Sequence, residues 1–249
     1  MTEEDSMEDY DRIEIAYIFD SKPSIRAYES LFSGFSQRPG PEYSSGQFNI
    51  NYWTSDGEKQ HEYDDYEAAA EAMKSSPTAR IGVSMGRYEL QVTTNNTDSW
   101  LLSAVPHITF SAEVYSFEEP DDTADSDATE HRRQEFAQTL ADAAGILEPT
   151  WGFGRRGGIA IGENDSIDSL ISTSTPPLYD YNVFHPRAVE QIGRERIRSA
   201  PVWFVRELDT GGVFLTVREP PKYCSQAVDQ CLNVADHLGI PLAEPDQYH

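Results

Sequence analysis

Three side chains early in the chain's last third have the makings of a reactive set: Asp180, His185 and Arg194. His185 lies between Phe184 and Pro186, close to Tyr179 and Tyr181, and an imidazole titrates near neutrality. With a carboxylate to orient it and a guanidinium to hold an anion, it could act as the general base of a hydrolase or transferase. Packing ahead of the helix that Pro186 opens is the reading of His185 that the local sequence favours.

A second cluster is cationic. Arg187, Arg194, Arg196 and Arg198 share the stretch that follows Pro186, with Arg206 just beyond and only Glu190, Glu195 and Glu207 against them. Such a helix could hold an anion, a nucleic acid or a partner, but its spacing also suits internal pairs such as Glu190 with Arg194, and wiring of that kind is favoured. Arg155 and Arg156 sit inside Gly152-Phe-Gly154-Arg-Arg-Gly157, whose glycine spacing matches a dinucleotide-binding loop. The context fails, because Ile159-Ala-Ile161 alternates as a strand where a helix is required. These glycines are therefore expected to be turn residues, with the two arginines at a hairpin tip, either presenting a phosphate or carboxylate site or simply solvated.

No metal or cofactor site is expected. The acidic run with Asp121, Asp122, Asp125 and Asp127 lacks the glycine and glutamate of a calcium loop, and the six histidines have no partners at zinc-ligand spacing. Cys224 and Cys231 fall in what reads as one helix, Ser225 to Leu238 with its approach. Their Cα atoms would then stand roughly 10 Å apart, too far for a disulfide, so both are expected reduced in the core.

The elements that must position these groups alternate between periods of two and of three to four. Ile13, Ile15, Tyr17 and Phe19 mark a strand, and Ile25, Tyr28, Leu31 and Phe32 mark a helix closing at Gly34. After a loop over 36–45 come a strand at Phe48–Trp53, a turn at Asp56-Gly57 and a helix over Tyr63–Ser75. A hairpin follows at Arg80–Thr94 about Gly86-Arg87, then two strands at Trp100–Val105 and Ile108–Phe117. Glu130–Ala144 should form a helix with Gly145 as its cap. Trp151–Ile161 reads as strand, turn, strand, Pro186–Ser199 as one helix, and Ala200–Pro221 as a hairpin about Asp209-Thr-Gly-Gly212.

This order describes an α+β fold, an antiparallel-rich sheet with covering helices. Its order of elements suggests two similar strand-helix-strand-helix-hairpin halves, residues 13–117 and 130–249, joined by an acidic loop at 118–129 and preceded by a frayed acidic segment at 1–12. Joined in one sheet, the halves would carry helices on one face and leave an aromatic-rich face exposed.

Composition describes the solvent. The 249 residues include 43 Asp and Glu against 19 Lys and Arg, a net charge of −24, with hydrophobic content of 38%. Only Lys22, Lys59, Lys74 and Lys222 are lysines. This acidic, lysine-poor composition resembles that of proteins from halophilic archaea, where screening over roughly 3 Å in molar salt removes the repulsion among carboxylates. The same screening leaves phosphate binding little reward, so nucleic acid is not an expected partner. With no membrane-length apolar run and no leader-like start, the chain is expected in the cytoplasm.

The strand at Ile13–Phe19, the helix at Ser24–Phe32, the Tyr52-Trp53 strand end and the Gly211-Gly212 hairpin followed by Pro220-Pro221 form a layout similar to that of immunity proteins that neutralise contact-delivered toxins. The resemblance implies a small cytoplasmic α+β protein that binds one enzyme. It carries no motif, so it assigns no site residue. Protein binding is the leading reading because no catalytic constellation is evident.

Overall fold

The computed structural model describes residues 11–36, 48–54, 57–63, 66–76, 78–85, 88–95, 102, 105–118, 126–161, 165–173 and 175–243, with backbone alone over 48–63. The expectations for segments 1–10 and 37–47, the Gly86-Arg87 turn, the Trp100–Leu101 strand start and the acidic run over 119–125 lie outside these residues.

The fold is α+β, and its frame is one antiparallel sheet. Its strands are β1 (Arg12–Ile18), β2 (Phe48–Thr54), β3 (Gly57–Tyr63), β4 (Ala79–Ser84), β5 (Glu89–Thr94), β6 (His107–Glu113), β7 (Trp151–Arg156), β8 (Tyr181–Phe184), β9 (Phe204–Glu207) and β10 (Val213–Thr216). They run in the order β3-β2-β4-β5-β6-β1-β7-β8-β10-β9. The first strand in sequence thus stands in the middle, with Ile15 opposite Phe110 of β6 on one side and Gly154 of β7 on the other. All strands on β1's β6 side come from the first half of the chain, and all on its β7 side from the second.

Strand alternation sends Ile13, Ile15 and Tyr17 to one face and Ala16 and Ile18 to the other, and all five are buried. Both faces of β1 therefore need cover. The first is covered by α1 (Ile25–Ser36), α2 (Tyr66–Ser75) and the 22-residue α3 (Ser126–Leu147), which supply Leu31, Phe32, Phe35, Met73, Phe136 and Leu140 to a single cluster. The second lies beneath shorter helices, α4 (Ile167–Ser172), α5 (Pro186–Ile192), α6 (Arg194–Arg198) and α7 (Val228–Leu238), and holds Trp151, Phe153, Phe184 and Leu215. Helices on one face only were expected. The sheet carries them on both, because the central strands are apolar in both directions.

The exposed aromatic face is also absent among the described side chains. Tyr17, Phe110, Trp151, Phe153, Tyr181, Phe184 and Phe214 are all buried, and the face of β4 and β5 turned from the helices carries Arg80, Ser84, Glu89 and Gln91.

Several local expectations change for identifiable reasons. Gly152 and Gly154 are inside β7 and not in a turn. A Cβ on Gly154 would stand 2.6 Å from the Glu14 carbonyl oxygen, and one on Gly152 would stand 2.7 Å from Val183 Cγ2, so both glycines permit close strand packing. Gly34 and Gly145 do not end their helices: α1 runs on to Ser36 and α3 to Leu147, where Glu148 takes the left-handed exit at φ 53°. The Pro186–Ser199 helix is broken at Gly193, φ 100°, into α5 and α6. Strand Ile108–Phe117 ends at Glu113, and Val114–Phe117 tightens into a 3-10 turn.

The two cysteines require the largest correction. Cys224 belongs to a separate 3-10 turn, Cys224–Gln226, and Ala227 at φ −153° breaks the chain before α7 begins. The turn folds back on the helix, bringing the Cα atoms to 5.7 Å, and the residues form a disulfide.

Candidate functional site

Asp180 precedes β8 at the end of the sheet where β7 finishes and β10 turns out. It is 1% exposed. Its Oδ1 accepts a hydrogen bond from the Cys224 backbone N–H at 2.7 Å, and its backbone carbonyl accepts one from Val217 N–H at 2.9 Å. Burial raises the carboxyl to about 7, against the opposing pull of the Cys224 amide, the nearby Arg155 and Arg218 guanidinium groups and the Arg156 amide. Oδ2 has no hydrogen-bond partner among the described residues. A carboxyl poised near neutrality is chemically suited to proton transfer. Here it is enclosed, and it tacks the disulfide-bearing segment to the sheet. Asn182 braces the same corner, accepting from Tyr179 N–H at 2.9 Å and donating to Tyr179 carbonyl at 2.7 Å. Burial pushes the Tyr179 hydroxyl well above its usual range.

His185 stands at the opposite end of β8, about 16 Å away along five extended residues. It is exposed, and its Nδ1 caps α5 by accepting from Arg187 N–H at 3.4 Å. Arg194 is held elsewhere again, donating from Nη1 to Glu207 at 2.7 Å and from Nη2 to the Gly211 carbonyl at 3.1 Å. The structure does not bring Asp180, His185 and Arg194 together.

The arginines are distributed among pairs. Glu207, on β9, gathers both Arg194 and Arg198, and Arg198 also reaches Glu195 at 2.8 Å. The Arg198 hydrogen bond is the foremost cause holding the Glu207 carboxyl below its ordinary range. Arg206 pairs with Asp142 of α3. Arg155 is buried at 4% exposure and Arg156 stands 3.7 Å from Glu118 with its guanidinium over the Tyr223 ring, so neither arginine is at a hairpin tip. Arg187 is exposed. Sequence reasoning gave Glu207 no role beyond its charge. The only signal for it was the register of the final hairpin, which sets Glu207 opposite Val213 and beside α6.

Beside Glu207 lies a cleft of about 280 Å³ between α1, the end of α3 and the β9 turn. Leu31, Phe35, Ile146 and Leu208 form its apolar lining, and Asp142, Arg206, Glu207 and Asp209 its polar rim. Gly34 and Gly145 also face it. Among the described residues β9 is an edge of the sheet and pairs only with β10. Its Val205 is 36% exposed, the one large apolar side chain so exposed in any strand with described side chains. Among the described residues no group of three His, Cys, Asp or Glu side chains converges as a metal site, and no helix is long and apolar enough to cross a membrane.

No protein-family model matches the chain, and no curated protein matches its sequence. Among solved structures it is similar to the Pseudomonas aeruginosa T6SS protein PA0821, with a TM-score of 0.51 and 12% sequence identity over 92% of this chain and 72% of that one. At that identity the likeness is one of fold.

Proposed function

We propose that this chain is a protein-binding protein that acts by holding a partner, in the manner of an immunity protein that neutralises a toxin. The observation that carries this reading is the β9 edge, unpaired on one side among the described residues, beside an apolar cleft, with Arg194, Arg198 and Arg206 nearby engaged by carboxylates. The fold-level likeness to a T6SS protein is compatible with it. The dispersal of Asp180, His185 and Arg194 removes the motive for the hydrolase or transferase reading. The Arg187–Arg198 stretch, broken at Gly193 and with Arg194 and Arg198 held by carboxylates, does the same for a nucleic-acid surface, which would need a continuous positive stripe.

The acidic, lysine-poor composition supports a salt-rich solvent, so the test belongs in molar KCl. Tagged protein immobilised at that salt should retain one partner at near-equal stoichiometry from an extract of its source cells, and the purified partner should lose its toxic activity when the chain is added. Retention of nothing above a tag-only control would overturn the reading.

A further inference from the structure

Gly34 and Gly145 are in the last turns of α1 and α3, where glycine is less favourable than alanine by up to about 1 kcal/mol. Neither has the positive φ that would call for glycine. Neither is required by crowding: a Cβ on Gly145 would meet nothing within 4 Å, and one on Gly34 would meet only Ile146 Cδ1 at 3.8 Å. What the two glycines do supply is room, since both border the same cleft.

The cleft opens beside β9. Cross-strand register puts Arg206 opposite Phe214 on the α3 side of the sheet, where Arg206 pairs with Asp142, and puts Val205 opposite Leu215 on the other side. An extended segment laid along the free edge of β9 would place alternate side chains beside Val205 and into the cleft. Strand addition works in this way, with main-chain hydrogen bonds supplying affinity and a pocket for alternate side chains supplying selectivity. At the rim, Asp142 is neutralised by Arg206, and Glu207 by Arg194 and Arg198. Asp209 is exposed and has no ion-pair partner among the described residues, so the mouth's open charge is negative, as is the −24 of the whole chain.

We infer that β9 and the adjoining cleft receive an extended segment of a basic protein partner, an apolar side chain entering between Gly34 and Gly145 and a lysine or arginine beside it meeting Asp209. This rests on the protein-binding reading above and specifies its surface.

The test uses the full chain at KCl concentrations stepped down from molar to the lowest at which it stays folded, and fluorescent peptides with alternating Val, Leu or Phe, one series with Lys and Arg between them and one with Glu. The basic series should bind more tightly than the acidic series, and the difference should widen as salt is lowered. Gly145→Leu, which fills the cleft from a position with free space, and Val205→Lys, on an exposed side chain, should each weaken binding at least tenfold while thermal unfolding is unchanged or, for Gly145→Leu, raised. Equal binding of both series, or binding indifferent to both substitutions, would overturn the inference. So would a wild-type dimer in sedimentation that Val205→Lys dissociates, because the edge would then belong to a second copy. If wild type and Gly145→Leu retain a natural partner equally, the surface is wrong while the protein-binding reading stands; if neither retains one, that reading is what fails.

Discussion

The two layers that cover the sheet are built on different terms. On the α1–α2–α3 side the contact is aromatic and continuous: Phe117 and Phe136 lie 4.7 Å apart between ring centroids, Tyr88 lies 5.4 Å from Phe117, and Tyr17 packs at 4.9 Å from Phe110. On the other side the helices are short, and the cluster is fastened by the Cys224–Cys231 disulfide, the buried Asp180 and the Asn182 brackets. Where a long helix can bury a face of its own, packing suffices. Where only helices of five to eleven residues are available, covalent and polar fasteners restrict what packing leaves free.

This contrast can be broken most directly in the packed layer. Phe136→Ala should destabilise the protein by about 3–5 kcal/mol, measured by denaturant unfolding in molar KCl, because Phe136 is fully buried among Tyr88, Phe117 and Tyr181. A cost below about 1 kcal/mol would mean that this layer does not depend on that contact.

In the fastened layer the signature should depend on pH. Asp180 is raised from 3.8 to about 7 by burial, so between those values the folded state holds a proton that the unfolded chain has released. Its contribution to stability is then present at low pH and is lost as pH rises through this window. Asp180→Asn keeps an acceptor for the Cys224 amide but cannot titrate. Subtracting its stability curve from that of the wild type should leave a slope between about pH 4 and 7, falling toward high pH, on the order of 4 kcal/mol in total. A flat difference would place the titration of Asp180 outside this window.

The disulfide should matter less than the aromatic core. Replacing both Cys224 and Cys231 with Ser should cost about 2 kcal/mol, the scale for a short closed loop, and should accelerate proteolysis within 218–238 while sparing α1–α3. Uniform acceleration across the chain would argue against two separately secured layers. The smallest effect should have the opposite sign: Gly145→Ala should stabilise α3 by up to about 1 kcal/mol, read as a rise in Tm.

The packed layer was also the more legible in the sequence. The larger apolar residues Ile13, Ile15, Tyr17 and Phe19 at every second position identify β1, although its other face is buried too, and helical spacing through Tyr28, Leu31 and Phe32 identifies α1, which buries one coherent stripe. β3 was missed, since Gly-Glu-Lys-Gln-His-Glu-Tyr has no apolar alternation to announce an edge strand. β8 was missed because Tyr-Asn-Val-Phe is only four residues long, stands between prolines and is buried throughout, which removes the contrast that periodicity needs. The disulfide was misread because a helix rule was applied across Ala227, where no residue pattern marks the break. The cleft left a trace that was read the other way: Gly34 and Gly145 resembled helix stops, and only coordinates distinguish a stop from a gap.

The central place of β1 bears on how the molecule is made. Of the ten strands it is the earliest along the chain, yet its neighbours β6 and β7 begin only at His107 and Trp151. A growing chain therefore carries an apolar ribbon with one edge bare until His107–Glu113 have been made and the other bare until Trp151–Arg156 have followed. Contacts so distant in sequence slow folding and lengthen the interval in which such a ribbon can pair with the wrong chain. The abundant negative charge, repelling one nascent copy from another wherever salt does not fully screen it, would serve during that interval as a guard on assembly.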